Sequence, residues 1–245
     1  MTIVFFAARS RDRYDVIDIA WGMNFIVIAI ISFISQPWKI SIQLFVVILV
    51  IVWGLRLAAH INSRWSASLV EDKRYVSMRE QYSKKRCGVA VNMYVRVFLV
   101  QAVLAVIVAI PVIVLNASQV MQFSWISFAG LFVWFVGFIF ESVGDAQLKW
   151  HLKNPKNKGK LMTSGLWKYT RHPNYFGEIT QWWGIFIIAL AAPFWWLSIV
   201  GPIVMTILLV FVSGVPMTEK HFTGRPGWDE YKRRTSKLFP LPPRS

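Results

Sequence analysis

Cysteine is nearly missing: Cys87 stands alone among 245 residues. No disulfide can form within the chain, and neither a disulfide scaffold nor a redox compartment can be read from it. Acidic residues are scarce at 12, and charged residues of both signs make up only 16%, where a soluble domain carries nearer a quarter. The four histidines and one cysteine form no H-x-x-x-H and no C-x-x-C, so no metal-ligand set stands at recognisable spacing. There is no G-x-G-x-x-G and no P-loop glycine pattern, which excludes nucleotide binding by a soluble motif, and no G-x-S-x-G elbow of a serine hydrolase. No internal repeat and no low-complexity linker interrupts the chain, so residues 1–245 read as one domain.

What is abundant is apolar surface. Hydrophobic residues reach 56% and mean hydropathy is +0.47. A chain of 28.3 kDa cannot bury so much in its own core, and the remainder must face lipid. Apolar runs at about 16–35, 38–60, 89–115, 123–148, 174–193 and 196–216 each approach the ~20 residues that cross ~30 Å of hydrocarbon. The stretch from Ile179 to Val215 is too long for one helix, and Pro193 followed by Phe194, Trp195 and Trp196 marks its break. Residues 3–8 are apolar but too short to span and lack a signal peptide's cleavage region. The expected fold is all-α: a polytopic membrane bundle of six full spans with a short N-terminal helix.

The net charge is +15. In a soluble protein this excess would point to nucleic acid. Here the basic residues lie in blocks between apolar runs: before the first span, over 61–88, over 149–171 and in the tail. The three that lie elsewhere are Lys39, Arg56 and Arg96. That asymmetry predicts a cytoplasmic N-terminal arm, cytoplasmic long segments and a cytoplasmic C-terminus in a multi-pass membrane protein. Residues 228–234, mixing aromatic and basic side chains, read as a short interfacial helix followed by an extended tail at Pro240, Pro242 and Pro243.

Ionisable groups inside spans are costly and point to function. Glu141 and Asp145 stand four apart on one helix face, followed at the same spacing by Lys149 and Lys153. Gly130, Gly137 and Gly144 recur at seven, a spacing that lets a neighbouring helix come close. The next helix opens after Arg171 and His172 with Pro173 in its first turn, and Asn174, Glu178 and Trp182 then repeat at four. A cation and a helix N-terminus with a carboxylate one turn inside form a cradle for a cofactor bearing phosphates or a zwitterionic head; a helix cap with a snorkelling arginine is the plainer reading. Asp18 in the first span and Arg56 in the second are expected to pair, in a structural or catalytic role.

The run from Gly165 to Glu178, GLWKYTRHPNYFGE, resembles the bacterial DUF1295 family, related to the membrane steroid 5α-reductases, a resemblance that implies a place in the bacterial inner membrane. Asp18 to Gly22, Trp53 to Leu57, Asp72 to Tyr75, Glu141 to Leu148, and Tyr231 to Thr235 with Phe239-Pro240 resemble it too, so the likeness covers almost the whole chain. It implies a seven-helix membrane reductase that holds NADPH between cytoplasmic segments and the later helices. A lipophilic substrate, steroid- or isoprenoid-like, would enter from the bilayer, with membrane lipids as the surroundings and no nucleic acid as partner. Carried over by position, Asp18 and Glu178 are the candidate catalytic acids. Arg74, Glu141, Asp145, Lys153, Lys160, Tyr169, Arg171, His172, Asn174, Glu178, Trp182 and Glu219 are the candidate cofactor residues. The reductases' Gln-Glu pair has no counterpart in the early spans, and Trp53 stands where they carry a tyrosine. Arg171 to Tyr175 with a downstream Glu219 also resembles isoprenylcysteine and phospholipid methyltransferases, which use S-adenosylmethionine. Three functions therefore stand open: reduction by NADPH of a carbon–carbon double bond conjugated to a carbonyl, methylation of a lipid by S-adenosylmethionine, and a non-enzymatic lipid-binding or assembly role.

Overall fold

The computed structural model describes residues 1–37, 41–120 and 123–244. The described residues are helical with no strand, and an isolated parallel bridge joins Thr170 to Ser236. Two compact units follow one another along the chain, Met1–Gln122 and Phe123–Ser245. Five runs are long and apolar enough to cross a membrane: Val16–Ile34, Ser41–Trp65, Gly88–Val108, Trp125–Lys153 and Trp195–Phe222, with mean hydropathies of 1.9 to 2.4. The sixth expected span, 174–193, is a helix of 17 residues, Pro173–Ala189, shorter than those five. The first residues of the expected 38–60 span, with Lys39, lie outside the described residues, as do residues 121–122 in the connection before the fourth span.

In the first unit, α1 (Thr2–Ser10) answers to the short apolar stretch at the N-terminus. It does not span; it packs. Phe5 and Ala8 are buried in a cluster with Tyr14, Ile17, Tyr75, Met93 and Phe98, and the Phe5 and Phe98 rings meet edge to face at 5.3 Å. Helices α2 (Val16–Ile34) and α3 (Ser41–Trp65) pack at paired glycines. A Cβ on Gly22 would stand 2.6 Å from the Gly54 carbonyl oxygen, so only glycine allows that approach. Phe25 and Trp53 close the crossing edge to face at 5.2 Å. The basic segment after α3 is not all loop. It contains α4 (Lys73–Ser83), whose N-cap Asp72 accepts from the Arg74 N–H. Helix α5 (Gly88–Val108) includes a π-helical turn, Tyr94–Leu99. It ends at Ala109, and α6 (Ile110–Asn116) resumes with Pro111 in its first turn. Proline has no N–H to continue the ladder, so the expected 89–115 span is two helices.

In the second unit, α7 (Trp125–Lys153) starts at a capping box formed by Ser124 and Ser127. At ~1.5 Å per residue its 29 residues outrun ~30 Å of hydrocarbon, so Lys149 and Lys153 stand on an extension beyond the apolar run. Helix α8 (Pro173–Ala189) lies along α7, and the glycines at intervals of seven supply the seam. A Cβ on Gly137 would meet the Gly177 carbonyl oxygen at 2.6 Å, and one on Gly184 the Gly130 carbonyl oxygen at 2.7 Å. The break expected at Pro193 is present: Phe194 takes a left-handed backbone with φ 61, and α9 (Trp195–Phe222) follows, with a π-helical turn at Leu208–Val212. Trp228–Arg234 forms α10, the short helix expected before the tail.

Candidate functional site

The residues singled out from the sequence fall in both units. Asp18, Arg56 and Arg74 belong to the first, and the others to the second.

In the first unit both oxygens of Asp18 are engaged by α4. The Arg74 Nη2 donates to Oδ2 at 2.7 Å and the Tyr75 hydroxyl donates to Oδ1 at 2.6 Å. The partner expected from α3, Arg56, is therefore not needed to satisfy this carboxylate. Arg74 also donates to Asp72, so its guanidinium is turned inward on two carboxylates. Burial, and then the neighbouring Asp18 carboxylate, push the Tyr75 phenol well above its ordinary range. Tyr75 had no signal of its own beyond its place in the Asp72–Tyr75 run.

In the second unit the acidic face of α7 meets the polar face of α8. Glu141 is 2% exposed and Asp145 5%. Gln181 Nε2 donates to Glu141 Oε2 at 2.5 Å, and Asn174 Nδ2 donates to Asp145 Oδ1 at 3.1 Å. Two carboxylates are thus held by two amides across the glycine seam. Glu178 and Trp182 are buried on the same helix. Gln181 was missed from the sequence, although it extends the 174, 178 pattern by i+7 and i+3. Among the described residues its Oε1 is a buried acceptor without a partner, and Trp134 Nε1 on α7 is a buried donor in the same condition.

The segment from Gly165 to His172 grips the C-terminal tail. Every guanidinium nitrogen of Arg171 donates: Nε and Nη2 to Glu219 Oε1 at 2.9 and 2.8 Å, and Nη1 to the carbonyl oxygens of Lys232 and Thr235 at 2.9 and 2.5 Å. Its backbone N–H reaches the Ser236 carbonyl. The Thr170 hydroxyl donates to the Leu238 carbonyl at 2.8 Å, and the Tyr231 hydroxyl to the Trp167 carbonyl at 2.5 Å. His172 caps α8, lies stacked on Tyr175, and meets Glu219 Oε1 at 3.3 Å. Burial lowers the His172 pKa below its ordinary value, with the nearby Arg171 cation acting the same way against the Glu219 carboxylate. The cation expected to stand free for an anion at the helix N-terminus is thus neutralised by Glu219. Tyr169, Lys153 and Lys160 are exposed, and the segment carrying both lysines folds back on itself, with His151 Nε2 against the Lys160 carbonyl at 3.1 Å.

Beneath this clamp is a small cleft lined by Leu161, Met162, Trp167, Arg171, His172, Phe222, Trp228 and Tyr231. Phe222 and Trp228 are stacked with centroids 5.3 Å apart. The charges around the cleft are the Arg171–Glu219 pair, with Lys232 Nζ 3.9 Å from the other Glu219 oxygen, and His172 is disposed to be neutral. Its walls are largely aromatic.

A model of the DUF1295 family, described as a protein of unknown function, matches residues 4–235. A protein named probable O-methyltransferase ustE, from Ustilaginoidea virens, is 46% identical over 46 residues. That match covers 19% of this chain and 16% of the relative's own length. No solved structure matches the chain.

Proposed function

This chain belongs to the DUF1295 family, and we propose that it is a membrane enzyme transferring a methyl group from S-adenosylmethionine to a lipophilic acceptor. The observation that carries this reading is the cleft: aromatic walls around an arginine already neutralised by Glu219. Such a surface suits a compact cofactor with a cationic centre, since aromatic faces attract sulfonium and quaternary ammonium groups. The relative named as an O-methyltransferase points the same way over its short match.

Trp167, Phe222, Trp228 and Tyr231 would hold the adenine and the sulfonium. When bound, the cofactor supplies a methyl group on positively charged sulfur, which leaves as a neutral thioether. Arg171 and Glu219 keep the cleft walls in register by tying α9 to the tail, and the buried His172 lines the cleft beside them. The acceptor reaches the protein from the bilayer, and the basic segments face the cytoplasm of a bacterial cell, consistent with the distribution of lysine and arginine.

A second reading, an NADPH-dependent reductase of a conjugated double bond, is favoured by one observation. Lys153, Lys156, Lys158 and Lys160 are all exposed on one short segment, where phosphates would find cations. Asp18 and Glu178 are then the candidate acids for polarising the carbonyl. One experiment separates the readings: titration of the protein in mild detergent with S-adenosylmethionine, NADPH and NADH in turn. Saturable binding of S-adenosylmethionine, weakened by Trp228→Ala, is the expected result. Saturation by NADPH without S-adenosylmethionine selects the reductase. Binding of neither leaves the non-enzymatic lipid-binding role.

A further inference from the structure

Helix α5 carries a cation on its lipid-facing side. Val91, Val95, Leu99, Val103 and Val106 recur at three- and four-residue spacing and are each between 37% and 58% exposed, the pattern of a helix face turned to hydrocarbon. Arg96 is exposed beside this stripe, flanked by Val95, Leu99 and Val100. It stands ~12 Å along the axis from Gly88 at ~1.5 Å per residue, inside the apolar run. A guanidinium there requires a counter-charge or a route to the interface.

The local structure holds it for one. Asn92, one turn earlier, is 7% exposed. Its Nδ2 donates to the carbonyl oxygens of Arg86 and Gly88 at 3.1 and 2.7 Å, and its Oδ1 accepts from Arg96 Nε at 3.1 Å. The amide is fixed by the first turn of the helix, and in turn it fixes the guanidinium. Side chains lean toward the N-terminus of a helix, so Arg96 points toward the end where Lys84, Lys85 and Arg86 are exposed. Both terminal nitrogens of Arg96 are without a protein partner among the described residues. With Nε taken, the planar fork that remains matches two oxygens of one phosphate.

We propose that Arg96, positioned by Asn92, binds the phosphodiester of an anionic glycerophospholipid. The source is a lipid rather than free phosphate because the exposed apolar stripe that starts at Val91 and Val95 runs beside the guanidinium and would lie against acyl chains. This site is in the first unit and does not depend on the methyltransferase reading.

The test is native mass spectrometry of the detergent-purified protein offered an equal mixture of phosphatidylglycerol and phosphatidylcholine. The wild type is expected to retain phosphatidylglycerol in preference. Arg96→Gln should lower that retention about tenfold or more, the loss of one or more charge-assisted hydrogen bonds. Arg96→Lys, which keeps the charge but not the fork, should fall between. Millimolar inorganic phosphate should not displace the lipid. Equal retention of the two lipids by the wild type overturns the proposal without any variant, so a poorly folding Arg96→Gln leaves it testable. Undiminished phosphatidylglycerol on a folded Arg96→Gln overturns it as well, and displacement by inorganic phosphate rejects a lipid as the ligand.

Discussion

Arg171 and Glu219, 48 residues apart in the chain, meet through two hydrogen bonds to a single carboxylate oxygen, at 2.9 and 2.8 Å. Their side chains are 6% and 16% exposed. The same guanidinium holds two carbonyl oxygens of the tail, so the start of α8, the end of α9 and the tail after α10 are fastened by one side chain. An arginine placed this way fastens three parts of the second unit and has its charge met by Glu219.

Removing one partner of a buried ion pair leaves the other uncompensated, at a cost of ~3–5 kcal/mol. Arg171→Gln is expected to lower stability by that amount in thermal unfolding in detergent. Arg171→Lys should recover little of it, because a lysine cannot serve Glu219 and two carbonyls in the same plane. Since both residues belong to one network, the loss in the double variant Arg171→Gln, Glu219→Gln should be smaller than the sum of the single losses. A wild-type melting curve for Arg171→Gln would show the clamp to be idle.

His172 predicts a pH dependence. Burial, aided by Arg171 and opposed by Glu219, holds its imidazole below the ordinary pKa, near 6.5. Below that value the unfolded chain binds the proton more readily than the folded one, so stability falls as pH drops. The slope is at most ~1.4 kcal/mol per pH unit for one proton. Unfolding midpoints between pH 7.5 and pH 5 should therefore decline more steeply for the wild type than for His172→Gln. Parallel curves would remove His172 as the cause.

The seam between α7 and α8 admits no methyl group. Gly137→Ala would set a Cβ 2.6 Å from the Gly177 carbonyl oxygen, and the helices must part to accept it. Overpacking of this kind costs ~1–3 kcal/mol. A lowered unfolding temperature is expected, together with weaker retention of any ligand held by the second unit. Stability equal to wild type would mean that the two helices pack less closely there.

Orientation can be read with the one natural cysteine. Cys87 is exposed in the basic segment before α5, and Gln119 is exposed at the opposite end, after α6. A membrane-impermeant maleimide applied to intact cells should label Gln119→Cys in a Cys87→Ser background and leave the wild type unlabelled until the cells are opened. Labelling of Cys87 from outside would invert the arrangement.

Several elements were legible in the chain itself. The apolar runs, the break at Pro193, Pro173 in the first turn of α8 and the short helix at 228–234 depend on spacing and on neighbours within a few residues, where helical period and proline geometry act. The glycines at intervals of seven announced a close helix, and α8 supplied it. Helix α1 was legible as apolar and too short to cross; its burial against Tyr75 and Phe98 was not.

Tertiary structure decided which groups meet. Asp18 had a basic residue available in Arg56, yet its oxygens receive Arg74 and Tyr75; α4 brings those two donors to it. Arg171 stood in the sequence as a free cation at a helix N-terminus, until Glu219 and the tail carbonyls arrived from elsewhere in the chain and took its donors. Local sequence sets a residue's helix, face and charge because those follow from interactions one turn long. The partner of a buried charge is set by desolvation: every group removed from water must find a complement, and that complement is whatever the packed chain brings within ~3 Å.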